Sequence, residues 1–543
     1  MESPEPRTRS QRAQRAQRAQ RAQPNTTTNP LGRVARKSPA KREPRPAVAL
    51  SGFLEDKRPK VQLPGDGRLL SDTAADLGGH LSGVLFTRNR EVVEPRDGQL
   101  HPLAPQRFRS LLEKSVCCYR QVSPSGRTIQ LDASLSESDA RGVLAAPQFI
   151  ERLRPINHLN AVRLPVIRAD KRLELLPQGY DKETATLTGE KVAYPEDMPF
   201  ADALAVIRDL YGEFEFGDRG RSRSVAVSAL VGLYAKQLIP AGELRPAFTF
   251  VKNAEGSGGT CCAACAIVPL LGDLPIGTKG KDDDEVRKSL TSAIRTGQEV
   301  IFLDNLKGTL NSAALEAFVS APVWQDRLLG SNEVVTGQNS ATVFVTANGL
   351  SVSPDWRRRS LFVELHLSVE RAEDKVYRRP LSVSVLRELR PQILAACWSM
   401  VKHWDEQGRP GPSKSHSAFP AWAKVVGGIV ESSGYSCPFE MARIAIVSDE
   451  DGENMRQLAA AMTPGVAYTA GELVSLCRKI NAFDGLVGAT DSDFGRPQRS
   501  SFGRLLARYD NRRVGDSTFL ITGSGHGKRF STLRAEDQAE RLQ

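Results

Sequence analysis

Apolar positions along the chain change period several times, and each change marks an element. Between 246 and 366 lie the short apolar runs AFTFV, EVIFLDN, ATVFVTAN and SLFVEL, each bounded by polar or turn residues. Segments with helical spacing separate the first three. Short runs that are apolar at nearly every position read as strands buried on both faces, and the helices between them as crossovers of a parallel sheet. The pattern predicts an α/β core over 246–366. Upstream, FADALAVIRDLYGEF and SRSVAVSALVGLYAKQL carry apolar residues at helical spacing and predict two amphipathic helices, a linker or lid over 198–245. Residues 61–197 predict an α+β domain. GVLFTRN and REVVEP give a hairpin, PQRFRSLLEKSV and AAPQFIERLRPI helices, and RLPVIRADKRLELLPQGYDKETATLTG strands joined by turns, with a bend at Gly179 and Asp181. Residues 367–454 read as a helical subdomain. Residues 455–534 read helix, helix, hairpin, the order of a small winged-helix-like domain, and 535–543 as a tail.

The first 60 residues break from this patterning. QRAQRAQRAQRAQ at 11–23 repeats a three-residue unit, and a stretch rich in Pro, Lys and Arg comes after it. Such composition buries too little apolar area to offset ordering entropy, so a disordered basic tail is expected over 1–60. The tail holds fifteen Lys/Arg against five Asp/Glu, so +10 of the formal charge of +11 sits there and the remainder is near neutral. A flexible cationic arm can hold nucleic acid through its phosphates, or act only as a solubilising extension. No run of about 18 apolar residues occurs, so no membrane span is expected. The arginine-rich start has no apolar stretch, so no secretory signal is expected. The eight cysteines form no paired C-x-x-C clusters, which fits a reducing, cytoplasmic setting. Cys261, Cys262 and Cys265 have no nearby His or fourth Cys and read as small buried side chains on a helix rather than a metal site.

The chemistry-bearing signal lies in the core. NAEGSGGT at 253–260 follows AFTFV and precedes a helix of small residues. Gly256, Ser257, Gly258 and Thr260 fall where backbone N–H groups at a helix N-terminus surround phosphate. The P-loop pattern is G-x-x-x-x-G-K-[ST]; here Asn253 replaces the first glycine and Gly259 the lysine. The plain alternative is a glycine-rich strand-to-helix turn. The apolar run of EVIFLDN is followed by an acid, Asp304, at the position that holds Mg²⁺ directly or through water. ATVFVTAN ends in Asn348, a polar residue fitted to sense a terminal phosphate and position water. Arg357, Arg358 and Arg359 precede SLFVEL, where an arginine can reach a phosphate held by a neighbouring subunit. Each alone is a turn, a strand end or a solvated arginine run. All of them in this order predict a P-loop NTPase fold. Lys252, Lys279 and Lys281 are candidate replacements for the missing cation. In the last domain Arg504, Arg508, Arg512, Arg513, Lys528 and Arg529 are candidate DNA-phosphate contacts, with a protein-docking surface as the alternative.

Over about 70–530 the chain resembles the ATPase part of phage and mobile-element primase-helicase proteins, related to superfamily three helicases and the AAA+ class. The resemblance is carried by DEVRKSLTSAIRTGQEVIFLDNLKGTLNSAALEAFVSAPVWQDRLLGSNE and TANGLSVSPDWRRRSLFVEL, with LPQGYDKETATLTG, SAFPAWAKVVGGIVESSG and the last hairpin as flanking matches. It implies an AAA+-like core with ATP and Mg²⁺ as cofactors. Gly256, Ser257, Gly258, Gly259 and Thr260 would bind the nucleotide, and Thr260 and Asp304 the metal. Asn348 would be the sensor, Arg358 or Arg359 the trans-acting finger, and Arg327 would act near phosphate or fix the interface. It also implies DNA replication, single-stranded DNA and replication proteins as partners, and a homo-oligomer such as a hexameric ring. The departure is Gly259, where the family has lysine. An ATPase or DNA helicase, a nucleotide-gated switch and a DNA-binding scaffold with a decayed loop therefore all stay open.

Overall fold

Side-chain alternation along four core strands sorts the molecule into layers. The computed structural model describes residues 57–534 except Asp66, 124–127, 190–191, Arg219, 253–255, 278–281, 328–333, 370–373, 441–449, Asp491 and 525–526. The expected basic tail lies outside the described residues except for its last four, and the tail over 535–543 lies wholly outside them. The core holds β1 (Ala247–Lys252), α1 (Gly259–Leu271), β2 (Ile276–Gly277), α2 (Asp283–Thr296), β3 (Val300–Leu310) and α3 (Ala313–Ser320). The hairpin β4 (Val323–Arg327) and β5 (Val334–Gln338) follows, then β6 (Thr342–Val352), α4 (Pro354–Arg359) and β7 (Ser360–Leu365). A parallel five-stranded sheet runs β2-β3-β6-β1-β7. β6 is central, and it separates β1 from β3.

One face of this sheet presents Phe248, Phe250, Val300, Phe302, Phe344, Leu361 and Val363 to α1. The other presents Ala247, Ile301, Leu303, Val343, Val345 and Phe362 to α2 and α3. With a period of two, the residues that follow in step on the α1 face are Lys252, Asp304 and Asn348. The hydrophobic alternation thus also sorts these polar residues, but only Lys252 ends its strand: β3 and β6, expected to end at Asp304 and Asn348, instead continue to Leu310 and Val352. α2 starts where the Asp282 carboxylate accepts from Glu285 N at 2.9 Å and stops at Gly297, whose φ of +67° ends the helix.

Five further expectations change. Residues 198–245 are not a lid. The helix Arg221–Tyr234 is buried on nearly all sides and shares the core beneath α1. Its serines read as a polar face, but their hydroxyls are satisfied locally: Ser228 donates to Ser224 O at 2.7 Å and Ser224 to Gly220 O at 3.2 Å. Residues 367–454 are helical as expected, yet the helix Val383–Glu406 packs into that same core rather than forming its own. The N-terminal core ends near Leu153, while Val162, Leu164 and Leu175 join the main core. AAPQFIERLRPI keeps only a short helix, Pro147–Ile150, because Arg154–Pro155 pairs with the strand Phe86–Arg88. Gly179–Asp181 is a strand; the bend follows at 182–185, held by Asp181 accepting from Thr184 N at 2.9 Å.

Toward the C-terminus the helices Glu450–Ala461, Ala470–Lys479 and Arg496–Ala507 pack on an antiparallel sheet of Arg512–Val514, Ser517–Thr522 and Arg529–Arg534. Met455, Leu473, Cys477, Phe502, Phe519 and Phe530 form its core. Among the described residues no helix is long and apolar enough to cross a membrane.

One half-buried base gives this fold a pH signature. His158, on the strand His158–Asn160, is pushed from 6.5 down to about 3 by burial, helped by Lys236, Arg245 and Arg88. Between those values the unfolded chain takes up a proton that the folded chain refuses. The stability tied to neutral His158 is therefore complete above pH 6.5 and lost as pH falls toward 3. His158→Gln is expected to flatten the fall in melting temperature over that window; parallel curves for the two proteins would contradict this.

Candidate functional site

The site forms where β1 ends against the start of α1, beside Asp304 within β3 and Asn348 within β6. Gly256 and Gly258 have φ of +82° and +85°, and no side chain caps α1 at Gly258. Backbone N–H groups of the first turn of α1 have no partner within the helix, a geometry that can receive an anion. Gly258 is doubly constrained: besides its positive φ, a Cβ there would stand 3.1 Å from the Phe214 ring. Asn253, Lys279 and Lys281 lie outside the described residues.

The side chains of Thr260 and Asp304, 44 residues apart, meet. The Thr260 hydroxyl donates to Asp304 Oδ1 at 2.8 Å. Thr346 donates to the same oxygen, and Asn305 N donates to Thr346 Oγ1 at 2.8 Å. The backbone makes this contact available: pairing of β3 with β6 shifts register between Leu303 and Leu306, and Asn305 takes a left-handed φ of +54°. Such a bulge re-aims the adjacent side chain. Asn348 is in register with Lys252 of β1 and with Lys307 of β3. Its Oδ1 is buried without a hydrogen-bond partner among the described residues. The oxygen donors of Thr260 and Asp304 suit a hard cation such as Mg²⁺, which takes one or two carboxylates and fills its shell with water and phosphate.

Beside Ser257 and Gly258 opens a cleft of about 220 Å³, walled by Phe214, Cys261, Tyr377, Pro380 and Leu381. Its cations are already balanced: Lys375 pairs with Glu215 at 2.9 Å and Arg379 with Asp209 at 2.7 Å. Cys262 and Cys265 are buried on α1 and burial raises both thiols, while Cys261 is half-buried at the cleft.

The arginines lie elsewhere. Ser360 pairs with Ala247 at the start of β1, and Leu365 with Lys252 at its end. Arg358 and Arg359 therefore stand at the opposite end of the sheet from the glycine-rich loop, five residues or about 17 Å along the strand. Arg358 pairs with Asp355, and Arg359 reaches Glu316 O at 3.4 Å. Arg327 is exposed at the end of β4, beside the Asp326–Arg287 ion pair of 2.8 Å. Arg504, Arg508, Arg512, Arg513, Lys528 and Arg529 are all exposed in the C-terminal region.

Two participants escaped the sequence reading. Phe214 lies far upstream and carried no signal. Thr346 carried one: it stands two residues before Asn348 and so on the same face.

No protein-family model and no curated protein matches the chain. Among solved structures it is similar to the apo C-terminal region of NrS-1, with 11% identity and a TM-score of 0.36 over 83% of this chain and 96% of that one. It is also similar to the JCV helicase bound to a small-molecule acetamide, with 15% identity and a TM-score of 0.21 over 44% of this chain and 68% of that one.

Proposed function

We propose that this chain is a helicase-like P-loop NTPase that couples binding and hydrolysis of MgATP to DNA handling, in the replication of a phage or mobile element. The observation that carries the reading is the meeting of Thr260 and Asp304 at an uncapped helix N-terminus, with Asn348 on β6, the strand between β1 and β3. In this reading the N–H groups at the start of α1 bind phosphate, and Thr346 holds the Asp304 carboxylate in place. Thr260 and Asp304 hold Mg²⁺, which when bound neutralises charge building on the terminal phosphates. Asn348 orients the attacking water through its side-chain amide. The cleft beside Gly258 takes the base against Phe214. Arg358 or Arg359, remote from the chain's own loop, serves a neighbour's nucleotide, so the active form is an oligomer such as a ring.

Turnover of ATP with and without single-stranded DNA tests this reading. DNA-stimulated release of phosphate is expected. Binding without turnover would favour the nucleotide-gated switch, the reading that Gly259 in place of lysine supports. Neither binding nor turnover would leave the DNA-binding scaffold.

The winged-helix-like C-terminal domain is assigned to the DNA backbone through six of its exposed cations, Arg504, Arg508, Arg512, Arg513, Lys528 and Arg529. Changing Arg508, Arg512 and Arg513 together to Ala is expected to weaken single-strand binding. It should also reduce the slope of log K against log salt by about 2, since each phosphate contact contributes roughly 0.7. An unchanged slope would contradict the assignment.

A further inference from the structure

The vacant lysine position is filled from the other side of the loop. Gly259 opens α1, and a Cβ built there would stand 2.8 Å from Lys252 Cδ, 3.2 Å from Cγ and 3.4 Å from Cε. The Lys252 stem therefore lies directly across the Cα of Gly259, in space that any side chain at 259 would take. Lys252 is the last residue of β1, half-buried, in register with Asn348 and on the same sheet face as α1. Its ammonium makes no hydrogen bond or ion pair among the described residues. The cations of the neighbouring cleft, Lys375 and Arg379, are each held by a carboxylate.

We propose that Lys252 is the phosphate-binding cation of this site, reaching the nucleotide from the strand over a glycine that exists to let it pass. This rests on the nucleotide reading and identifies a residue of that same site. A lysine at 259 would rise from the helix; here the charge comes from the preceding strand and crosses the first turn of α1. The two residues are one device: a side chain at 259 would push the Lys252 stem off its present path.

The test uses the full chain and two readouts, fluorescence titration with a fluorescent ATP analogue plus Mg²⁺ and steady-state ATP turnover. Lys252→Met keeps the stem over Gly259 and removes only the charge, so its melting temperature should match wild type. It is expected to bind about tenfold more weakly and to turn over about 100-fold more slowly, because a charge-assisted contact that strengthens toward the transition state is lost. Gly259→Lys alone is expected to gain nothing, since its stem collides with Lys252. The double variant Lys252→Ala with Gly259→Lys, which moves the charge to the helix and clears its path, is expected to recover both readouts. Lys252→Met equal to wild type in binding and turnover would overturn the inference, as would a double variant no better than Lys252→Met. A wild-type chain that takes up no analogue would overturn the nucleotide reading, and the inference with it.

Discussion

Asp304→Asn is expected to lower MgATP turnover by about 100- to 1,000-fold while leaving the chain folded. Asn keeps an oxygen that can accept from Thr260 and Thr346, the donors that now meet Asp304 Oδ1, so the packing around it need not change. What disappears is the negative charge of the carboxylate that meets the start of α1. Mg²⁺ binds through few protein oxygens, and the loss of an anionic partner bears on metal and triphosphate together. A second substitution separates position from charge. Thr346→Val keeps the carboxylate but removes the hydroxyl that holds it, and is expected to cost about 10- to 100-fold in metal dependence, the usual scale for an outer partner of a ligand. Turnover measured against Mg²⁺ concentration checks both. Rescue of Thr346→Val at high Mg²⁺, with no rescue of Asp304→Asn, is the expected pattern; turnover by Asp304→Asn at the wild-type rate would contradict it.

Arg221→Ala is expected to destabilise the chain by about 3–5 kcal/mol, the scale for stranding one partner of a buried ion pair. Arg221 opens the helix Arg221–Tyr234, pairs with Glu364 at 2.7 Å and donates to Phe362 O at 2.9 Å. Asp218 completes the cluster 3.1 Å from the guanidinium, and Glu364 N donates to Ser222 Oγ at 2.9 Å. Both carboxylates and the guanidinium are almost wholly buried. These contacts fasten the helix to β7, and so fix the layer on which β1 and α1 rest. Burial already lifts the Glu364 carboxyl above its usual range, with Arg221 opposing. Without Arg221 the carboxyl must take a proton or stay charged and unpaired. The loss should therefore be smaller at acid pH, where protonation removes the uncompensated charge. Chemical denaturation at two pH values checks the magnitude and this trend. The paired change Arg221→Met with Glu364→Leu should recover part of the loss, because it removes the Glu364 charge while Asp218 keeps its hydrogen bonds from Ser222.

The core strands were legible because their apolar runs carry their own boundaries, and the parity of those runs even sorts Lys252, Asp304 and Asn348 onto one face. The β2 strand was not: Ile276 and Gly277 are exposed and make a two-residue pairing with β3 that no local pattern signals. The helix Arg221–Tyr234 misled because serine reads as a surface residue, and only the fold reveals that Ser224 and Ser228 return their hydroxyls to the helix backbone. The separate lid and helical subdomain disappeared for a related reason. Apolar spacing says that a helix buries a face, but not which neighbour covers it, and here one core takes both segments. Within the site, Thr260 and Asp304 were readable from their motifs. The role of the Asn305 bulge was not, because a left-handed asparagine is a property of the pairing between β3 and β6 rather than of the sequence around it.

A crystal structure of the chain with Mg²⁺ and a non-hydrolysable ATP analogue is the most direct measurement. A triphosphate is expected on the first turn of α1, with the ion about 2.0–2.1 Å from Thr260 Oγ1 and next to Asp304. Nucleotide bound on another surface, or a loop left bare at saturating analogue, would contradict the shared pocket of Thr260, Asp304 and Asn348.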